Sequence, residues 1–409
     1  MAIDTPARIA VLGAGPVGLE AALYARYLGY DVDLYERGDI ADNMLQWGHV
    51  RLFTPWRENV SPLALAALRS QDESWRPPQD DAPLTGREFV ERFCRPLAYS
   101  DLLIDSLRLQ TEVLAVGREG QLKGDHAGET EREDGDFRLL LRDAQGNEST
   151  ATADVVIDAT GTYRQHNWAG ASGIPAPGER AAADAIDYGL PDVFGRDRRR
   201  YAGKRVLVVG AGYSAATSVV ALAELASAEP GTHVVWITRK AVDANEPPLA
   251  VIEQDRLADR DRLARAANAL AGGASTAVSH HHGTSIDRVV RLGDGRLSVR
   301  LCGPAAATIE VDCIVANVGY RPDRGLYAEL QIHACYASEA PHQLAAAPGP
   351  VALVHPEPDF YILGAKSFGR DSQFLLSNGL AQVRDLFTIL GDRANLDLYQ
   401  SVAGLAHGL

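Results

Sequence analysis

Two glycine-rich turns carry the most specific chemistry in this chain of 409 residues. Gly13, Gly15 and Gly18 follow an apolar run at 9–12, and Gly210, Gly212 and Ala215 follow another at 206–209. A Gly-x-Gly-x-x-Gly turn between a buried strand and a helix suits a pyrophosphate. The first glycine permits the tight turn, the second lets the backbone approach the anion, and the third lets the helix pack close to the sheet. The anion then sits on the helix N-terminus, where N–H groups and the helix dipole favour negative charge. Glu36 ends the second strand of the first copy, 18 residues after Gly18, placed to accept hydrogen bonds from ribose hydroxyls. The second copy ends its second strand in Thr238-Arg239-Lys240, with no carboxylate. A cationic pair there suits a ribose 2′-phosphate, hence NADPH over NADH; the alternative is a solvated basic strand end.

A second set of residues can meet a substrate. Residues 46–62 combine aromatic and basic side chains, and in an extended segment Trp47, His49, Arg51 and Phe53 alternate onto one side. Such a segment forms either an aromatic pocket with an anion anchor or a loop that packs aromatics and pairs its arginines at the surface. His49 can serve as an acid or base, since histidine titrates near neutral pH, or as a hydrogen-bonded structural group. Lys366, Ser367 and Arg370 follow a late apolar strand, where they can face a ligand or cap the helix beginning near 372. The triplet His280-His281-His282 has no acidic or cysteine partner at ligand spacing, so no metal is expected. Cys94, Cys302, Cys313 and Cys335 are scattered without a C-x-x-C, which excludes a vicinal dithiol and points to reduced structural thiols.

The elements that must position these groups repeat along the chain. Residues 8–38 and 204–240 each read strand, Gly-rich turn, helix, strand, and the unbroken apolar strands imply parallel pairing covered on both faces. Residues 83–107 read as a helix with Thr85 as N-cap, residues 109–116, 137–142 and 153–159 as strands, and 118–136 as a polar loop. Residues 169–201 read as a linker, 256–270 as an amphipathic helix, 289–291 and 296–301 as a hairpin, 337–349 as a loop and 379–390 as a closing helix. The length suggests two to three domains. A formal charge of −14 disfavours general nucleic-acid or anionic-lipid binding. No apolar run is long enough to span a bilayer, and the N-terminus enters a strand without room for a signal peptide. A cytoplasmic location and no membrane partner are therefore expected.

In order, and over nearly the whole chain, these motifs resemble the two-dinucleotide-binding-domain flavoproteins of thioredoxin-reductase-like fold without the C-x-x-C. They are most similar to the single-component flavin-containing and N-hydroxylating monooxygenases. The resemblance rests on the fingerprint at 13–36, Asp158-Ala-Thr-Gly161, the second fingerprint at 210–215, Val318-Gly-Tyr-Arg-Pro-Asp323 and Phe360-Tyr-Ile-Leu-Gly364. It implies an α/β chain of two Rossmann-like three-layer domains, with an NADPH domain inserted in a split FAD domain. The implied bounds are 1–165 and 316–409 for the FAD domain, 166–200 for a crossover linker and 201–315 for the NAD(P)H domain.

The resemblance further implies FAD held by Gly13, Gly15, Pro16, Gly18, Glu36, Arg37, Gln46, Thr160, Gly161 and Gly364, and NADPH held by Gly210, Gly212, Tyr213, Ser214, Arg239 and Lys240. Gln46, His49 and Arg51 are the catalytic candidates, and Trp47, Arg51, Phe53, Lys366 and Arg370 the substrate candidates. In a loose alignment Gln46 falls at a flavin-contacting glutamine and Arg51 at a cation that binds the substrate carboxylate. The N-terminus of the closing helix, at Ser377 and Asn378, can face the flavin pyrimidine carbonyl. The implied activity is N- or S-oxygenation of a small nucleophile by dioxygen through a C4a-peroxyflavin. The alternatives are an NADPH-dependent flavoprotein reductase or dehydrogenase with a non-oxygen acceptor and, behind it, a non-catalytic nucleotide-binding scaffold. Some relatives are dimers, so a homo-oligomer fits the resemblance. The chain departs from the family in three places: residues 182–196 contain no histidine, Thr54-Pro55 replaces a Thr-Asn pair, and Gly364-Ala-Lys366-Ser367 replaces a Gly-Asp.

Overall fold

The structure, a computed structural model, describes residues 3, 5–240, 246–342 and 349–406. It divides into two compact units, Met1–Gln165 with Arg321–Leu409, and His166–Tyr320. Each unit is built on a five-stranded parallel sheet. In the first unit the order across the sheet is Phe360–Ile362, Val155–Asp158, Arg8–Leu12, Asp31–Tyr35, Leu107–Arg108. In the second it is Ile186–Asp187, Cys313–Ala316, Arg205–Val209, His233–Ile237, Val278–His281.

Alternation along the central strands builds the layers. In the first unit Ile9 and Val11 join the core beneath the helices, while Ala10 and Leu12 join the core beneath an antiparallel three-stranded sheet of Thr111–Arg118, Phe137–Asp143 and Glu148–Ala153. Val206 and Val208 face helices in the second unit. Leu207 and Val209 face its own antiparallel sheet of Ser285–Arg291, Leu297–Cys302 and Thr308–Val311. A strand covered on both sides must be apolar at every position, which is why both runs read as unbroken hydrophobics. The internal repeat therefore extends well beyond the fingerprint to the whole unit. The chain is α/β, with two Rossmann-like three-layer units and the second inserted between Val155–Asp158 and Phe360–Ile362 of the first.

Several sequence expectations are corrected. The stretch expected as a linker at 166–200 lies in the second unit, where Ile186–Asp187 is an edge strand and Ala169, Ala176, Ala182 and Val193 are buried. Its many glycines and prolines shape turns, and Glu179, fully buried, accepts the N–H groups of Ala169, Gly170 and Ala176. The helix expected over 83–107 runs only from Gly86 to Ala98, with a π-turn at Val90–Cys94, before a short strand at Leu107–Arg108. Thr85 does cap it: the Thr85 hydroxyl accepts the Glu88 N–H at 3.2 Å, and Glu88 accepts the Thr85 N–H at 2.8 Å. The polar loop at 118–136 is pinned from within, since Arg118 and Arg132 both pair with the buried Glu357 at 2.8 Å. Of the loop expected at 337–349, residues 343–348 lie outside the described residues. Among the described residues no helix is long and apolar enough to cross a membrane.

Candidate cofactor site

The helix α1 (Pro16–Tyr27) begins directly after the first glycine turn, with Pro16 at its first position and no acidic residue in its first turn. Each glycine there has a geometric reason. Gly13 has φ +98°, and its N–H bonds the Tyr35 carbonyl at 2.7 Å. A Cβ at Gly18 would stand 1.9 Å from the Gly13 carbonyl oxygen, so a side chain there would break the turn. A Cβ at Gly15 would meet no atom within 4 Å, so the turn opens onto free space at the N-terminus of α1. That opening is a cavity lined by Gly13, Gly15, Pro16, Glu36, Thr160, Gly161 and Gly364, together with Trp47, Tyr163, Phe374 and Leu376. A neighbouring cavity shares Gly13, Glu36, Asn43 and Thr160 and adds Arg37, Thr111 and Arg164.

Glu36 stands at the junction of these cavities. Its carboxylate accepts the N–H groups of Ala14 at 3.0 Å and Gly38 at 2.9 Å. Burial pushes its titration above the usual carboxylate range, and those two N–H bonds pull against the shift. At the other end the cavity wall is aromatic. Trp47 and Tyr163 stack with ring centroids 6.3 Å apart, and Gly86 is needed because a Cβ there would lie 2.8 Å from the Trp47 ring. The helix α2 (Leu376–Leu390) closes this end; Gly379 lets it approach Val17 of α1, whose Cγ2 would be 2.5 Å from a Cβ. Asn378 accepts the Leu375 N–H at 2.9 Å and fixes the start of α2.

The structure separates the remaining candidates. Trp47 lines the cavity, but Gln46, His49, Arg51 and Phe53 line none of the cavities described above. The extended geometry expected for this segment is replaced by a short helix, Asp42–Gln46, and a turn through 47–49, which destroys the alternation. Arg51 forms a bridge with Thr85 and is exposed, as are Gln46 and His49. Lys366 lines a third cavity with Thr160, Gly161, Arg164 and Asp323, and its ammonium lies 2.6 Å from Asp158, both side chains being buried. Arg370 stands 3.8 Å from Glu339. Sequence reasoning missed Tyr163, Asn43, Phe374 and Leu376; only the position of Tyr163 directly after the Asp158–Gly161 motif offered a signal.

The second turn repeats the first in register. Gly210, at φ +140°, donates to the Ile237 carbonyl at 3.2 Å, as Gly13 does to Tyr35. Thr238 therefore occupies the place of Glu36, and the exposed Arg239 and Lys240 follow it. Gly212 opens onto free space as Gly15 does, and Tyr213 and Ser214 begin the following helix, Tyr213–Ala228. The Arg260 guanidinium lies 6.0 Å from the Tyr213 ring centroid. His280 packs on Trp236 at 4.7 Å and bonds the Thr238 hydroxyl at 3.1 Å; burial pushes its titration down to about 4. The cysteines stand apart from these sites. Cys94 and Cys313 are buried, with their titration pushed up by burial, and none of the four lines a cavity described above.

A family model described as pyridine nucleotide-disulphide oxidoreductase matches residues 105–335, more than half of the chain. No curated protein matches it significantly. Many solved structures share the fold. The bacillithiol disulfide reductase Bdr (YpdA) of Bacillus cereus is 16% identical, with TM-score 0.67 over 95% of this chain and 99% of that one. The FAD-bound cadaverine monooxygenase DfoA of Erwinia amylovora is 14% identical, with TM-score 0.65 over 95% of each chain. The Kutzneria ornithine N-hydroxylase KtzI, solved with reduced FAD, NADP+ and L-ornithine, is 17% identical, with TM-score 0.60 over 95% and 99%.

Proposed function

The chain belongs to the pyridine nucleotide-disulphide oxidoreductase family, and from that premise we propose that it is an FAD- and NADPH-dependent oxidoreductase acting as a flavin monooxygenase on a small amine or sulfur nucleophile. The observation that carries the cofactor reading is the continuous lining of Gly13, Gly15, Glu36, Thr160, Gly161 and Gly364, open at the N-terminus of α1. Those residues fit FAD. The α1 N-terminus would hold its pyrophosphate and Glu36 would accept its ribose hydroxyls, while the Trp47, Tyr163 and Phe374 rings would exclude water from the ring system. In the second unit Gly212 and the start of Tyr213–Ala228 would hold the NADPH pyrophosphate. Arg239 and Lys240 would favour its 2′-phosphate, since Thr238 brings no carboxylate to repel it. The flavin would supply hydride acceptance and oxygen activation.

The absence of a C-x-x-C from the sequence, and of any cysteine from the cavity lining, supports release of electrons to a diffusing acceptor rather than through a protein dithiol. Dioxygen is that acceptor in the first reading. A second reading, NADPH-dependent reduction of a non-oxygen acceptor, is favoured by the turned geometry at 47–49, which takes His49 and Arg51 away from the cavity lining. The two separate in an aerobic assay of the FAD-loaded protein across amines, amino acids and sulfides. A monooxygenase consumes one NADPH and one dioxygen per oxygenated product, with little hydrogen peroxide. NADPH oxidation that yields only peroxide with every nucleophile, but is accelerated by a quinone or disulfide, would contradict the first reading and support the second.

A further inference from the structure

The strand Val155–Asp158 ends in a carboxylate with no access to solvent, and the chain returns 208 residues later to place an equally buried ammonium against it. Lys366 Nζ donates to Asp158 Oδ2 at 2.6 Å and to Thr160 Oγ1 at 3.1 Å. The Thr160 hydroxyl donates in turn to Asp158 Oδ1 at 2.7 Å, which also accepts the Thr160 N–H at 3.1 Å. The Tyr327 ring covers the ammonium, with its centroid 5.1 Å away. Burying such a pair costs desolvation that its Coulomb attraction often fails to offset, so stability alone is a poor reason for it. Its location supplies a better one. Thr160 and Gly161 form one wall of the cofactor cavity, and Gly364 and Ala365 form another. Both walls turn through positive φ, at +69° for Gly161 and +71° for Gly364. The second wall is held from behind as well, since Gly364 N–H donates to Gln382 and Gly364 C=O accepts from Ser367.

We propose that Lys366, through the closed triad with Asp158 and Thr160, is a positioning residue that sets the spacing of the Thr160–Gly161 and Gly364–Ala365 walls for the flavin. The inference rests on the FAD reading above and assigns Lys366 a role exerted through Asp158 and Thr160. The two walls come from segments separated by the entire inserted unit. Parallel pairing of Phe360–Ile362 on Val155–Asp158, continued by the Leu363 N–H to the Asp158 carbonyl at 2.9 Å, sets them side by side. Beyond the strand ends, the ion pair with its shared hydroxyl ties one wall to the other. The Gly364-Ala-Lys366-Ser367 sequence thus supplies a cavity wall at Gly364 and Ala365 and ties it to the opposite wall through Lys366.

The test compares wild type, Lys366→Met, the double variant Asp158→Asn with Lys366→Met, Thr160→Val and Thr160→Ser, each as the full chain. FAD affinity is measured by titration into flavin-stripped protein, with the visible absorption fine structure of bound flavin and the Tm of the stripped protein recorded alongside. The single variant leaves a buried carboxylate unpaired and is expected to lose both stability and FAD. The double variant removes that penalty without restoring the clamp. It is expected to recover the Tm of the stripped protein while its Kd for FAD stays at least about tenfold above wild type, with blunted fine structure. Thr160→Val removes the shared hydroxyl but also alters a cavity-wall residue, so it is read beside Thr160→Ser, which keeps the hydroxyl. Kd is expected to rise at least about threefold in the first and to stay near wild type in the second, which decides the matter if the double variant does not fold. A folded double variant, or a Thr160→Val protein, that binds FAD as wild type does would overturn the inference alone. Wild type that binds no FAD would overturn the functional reading and this inference with it.

Discussion

Single residues in this chain are explained by what surrounds them more than by their type. Glu20 lies inside α1 with one carboxylate oxygen unpartnered, and the Ser61 and Tyr399 hydroxyls face the group. Burial pushes its titration up to about 7 from 4.5, so between those pH values the folded chain keeps a proton that the unfolded chain has released. Its contribution is therefore full below about 4.5 and lost as pH rises through 7, a change on the order of 3 kcal/mol. Glu20→Gln should flatten that part of the profile. Melting wild type and variant side by side from pH 5 to 8 checks this, and parallel curves would contradict it. Nothing in the sequence marked Glu20, because a glutamate in a helix is ordinarily solvated, and the residues that face it, Ser61 and Tyr399, come from distant parts of the chain. The place of Glu36 in the cavity lining was legible for the opposite reason: it follows from a fixed distance along one strand–turn–helix–strand unit. Lys366 lay between these cases: its strand marked it as a candidate, but its pairing with the buried Asp158 could not be read from the sequence.

At the scale of elements, the two glycine turns look alike in sequence yet differ in tolerance. The first cannot accept a Cβ at Gly18, whereas the second already carries one at Ala215, which lies 3.2 Å from where a Cβ at Gly210 would be. Gly210 stands at φ +140° against +98° at Gly13. Gly18→Ala should therefore weaken FAD binding by about ten- to a hundredfold, the effect of roughly 1–3 kcal/mol of overpacking. Ala215→Gly should leave the NADPH KM within about twofold, because it only removes a contact the turn has accommodated. Equal losses in both variants, read by FAD titration and steady-state kinetics, would show that the turns are interchangeable. Local periodicity revealed the long helices and the βαβ units, but not Glu148–Ala153 or Thr308–Val311. Those strands are largely exposed and polar, so they carry no alternation to read. The segment at 46–53 failed for a related reason, since alternation has meaning only once a strand is known to be there.

Over the whole molecule, duplication is the organising fact. Each unit has a five-stranded parallel sheet in which four strands follow the same order, an antiparallel three-stranded sheet between Leu107–Arg108 and Val155–Asp158 in one and between Val278–His281 and Cys313–Ala316 in the other, and its own buried cores. The edge strand is supplied by Phe360–Ile362 in one unit and by Ile186–Asp187 in the other. From sequence the insertion was visible but its boundary was not. The Gly- and Pro-rich composition of 166–200 resembles a linker while its apolar residues fill a core. Because the second unit closes its own cores, residues 166–320 expressed alone should unfold in one cooperative thermal transition and retain affinity for NADPH. A non-cooperative melt of that fragment would contradict the division. Reduction of FAD by NADPH would join the two units through chemistry, and it is tested most directly by anaerobic titration of the FAD-loaded protein with NADPH, followed in the visible flavin band. The expected result is full bleaching at about one equivalent of NADPH, with NADH markedly slower if Arg239 and Lys240 recognise the 2′-phosphate as proposed. Protein that retains no FAD, or a flavin band that NADPH leaves unchanged, would contradict it.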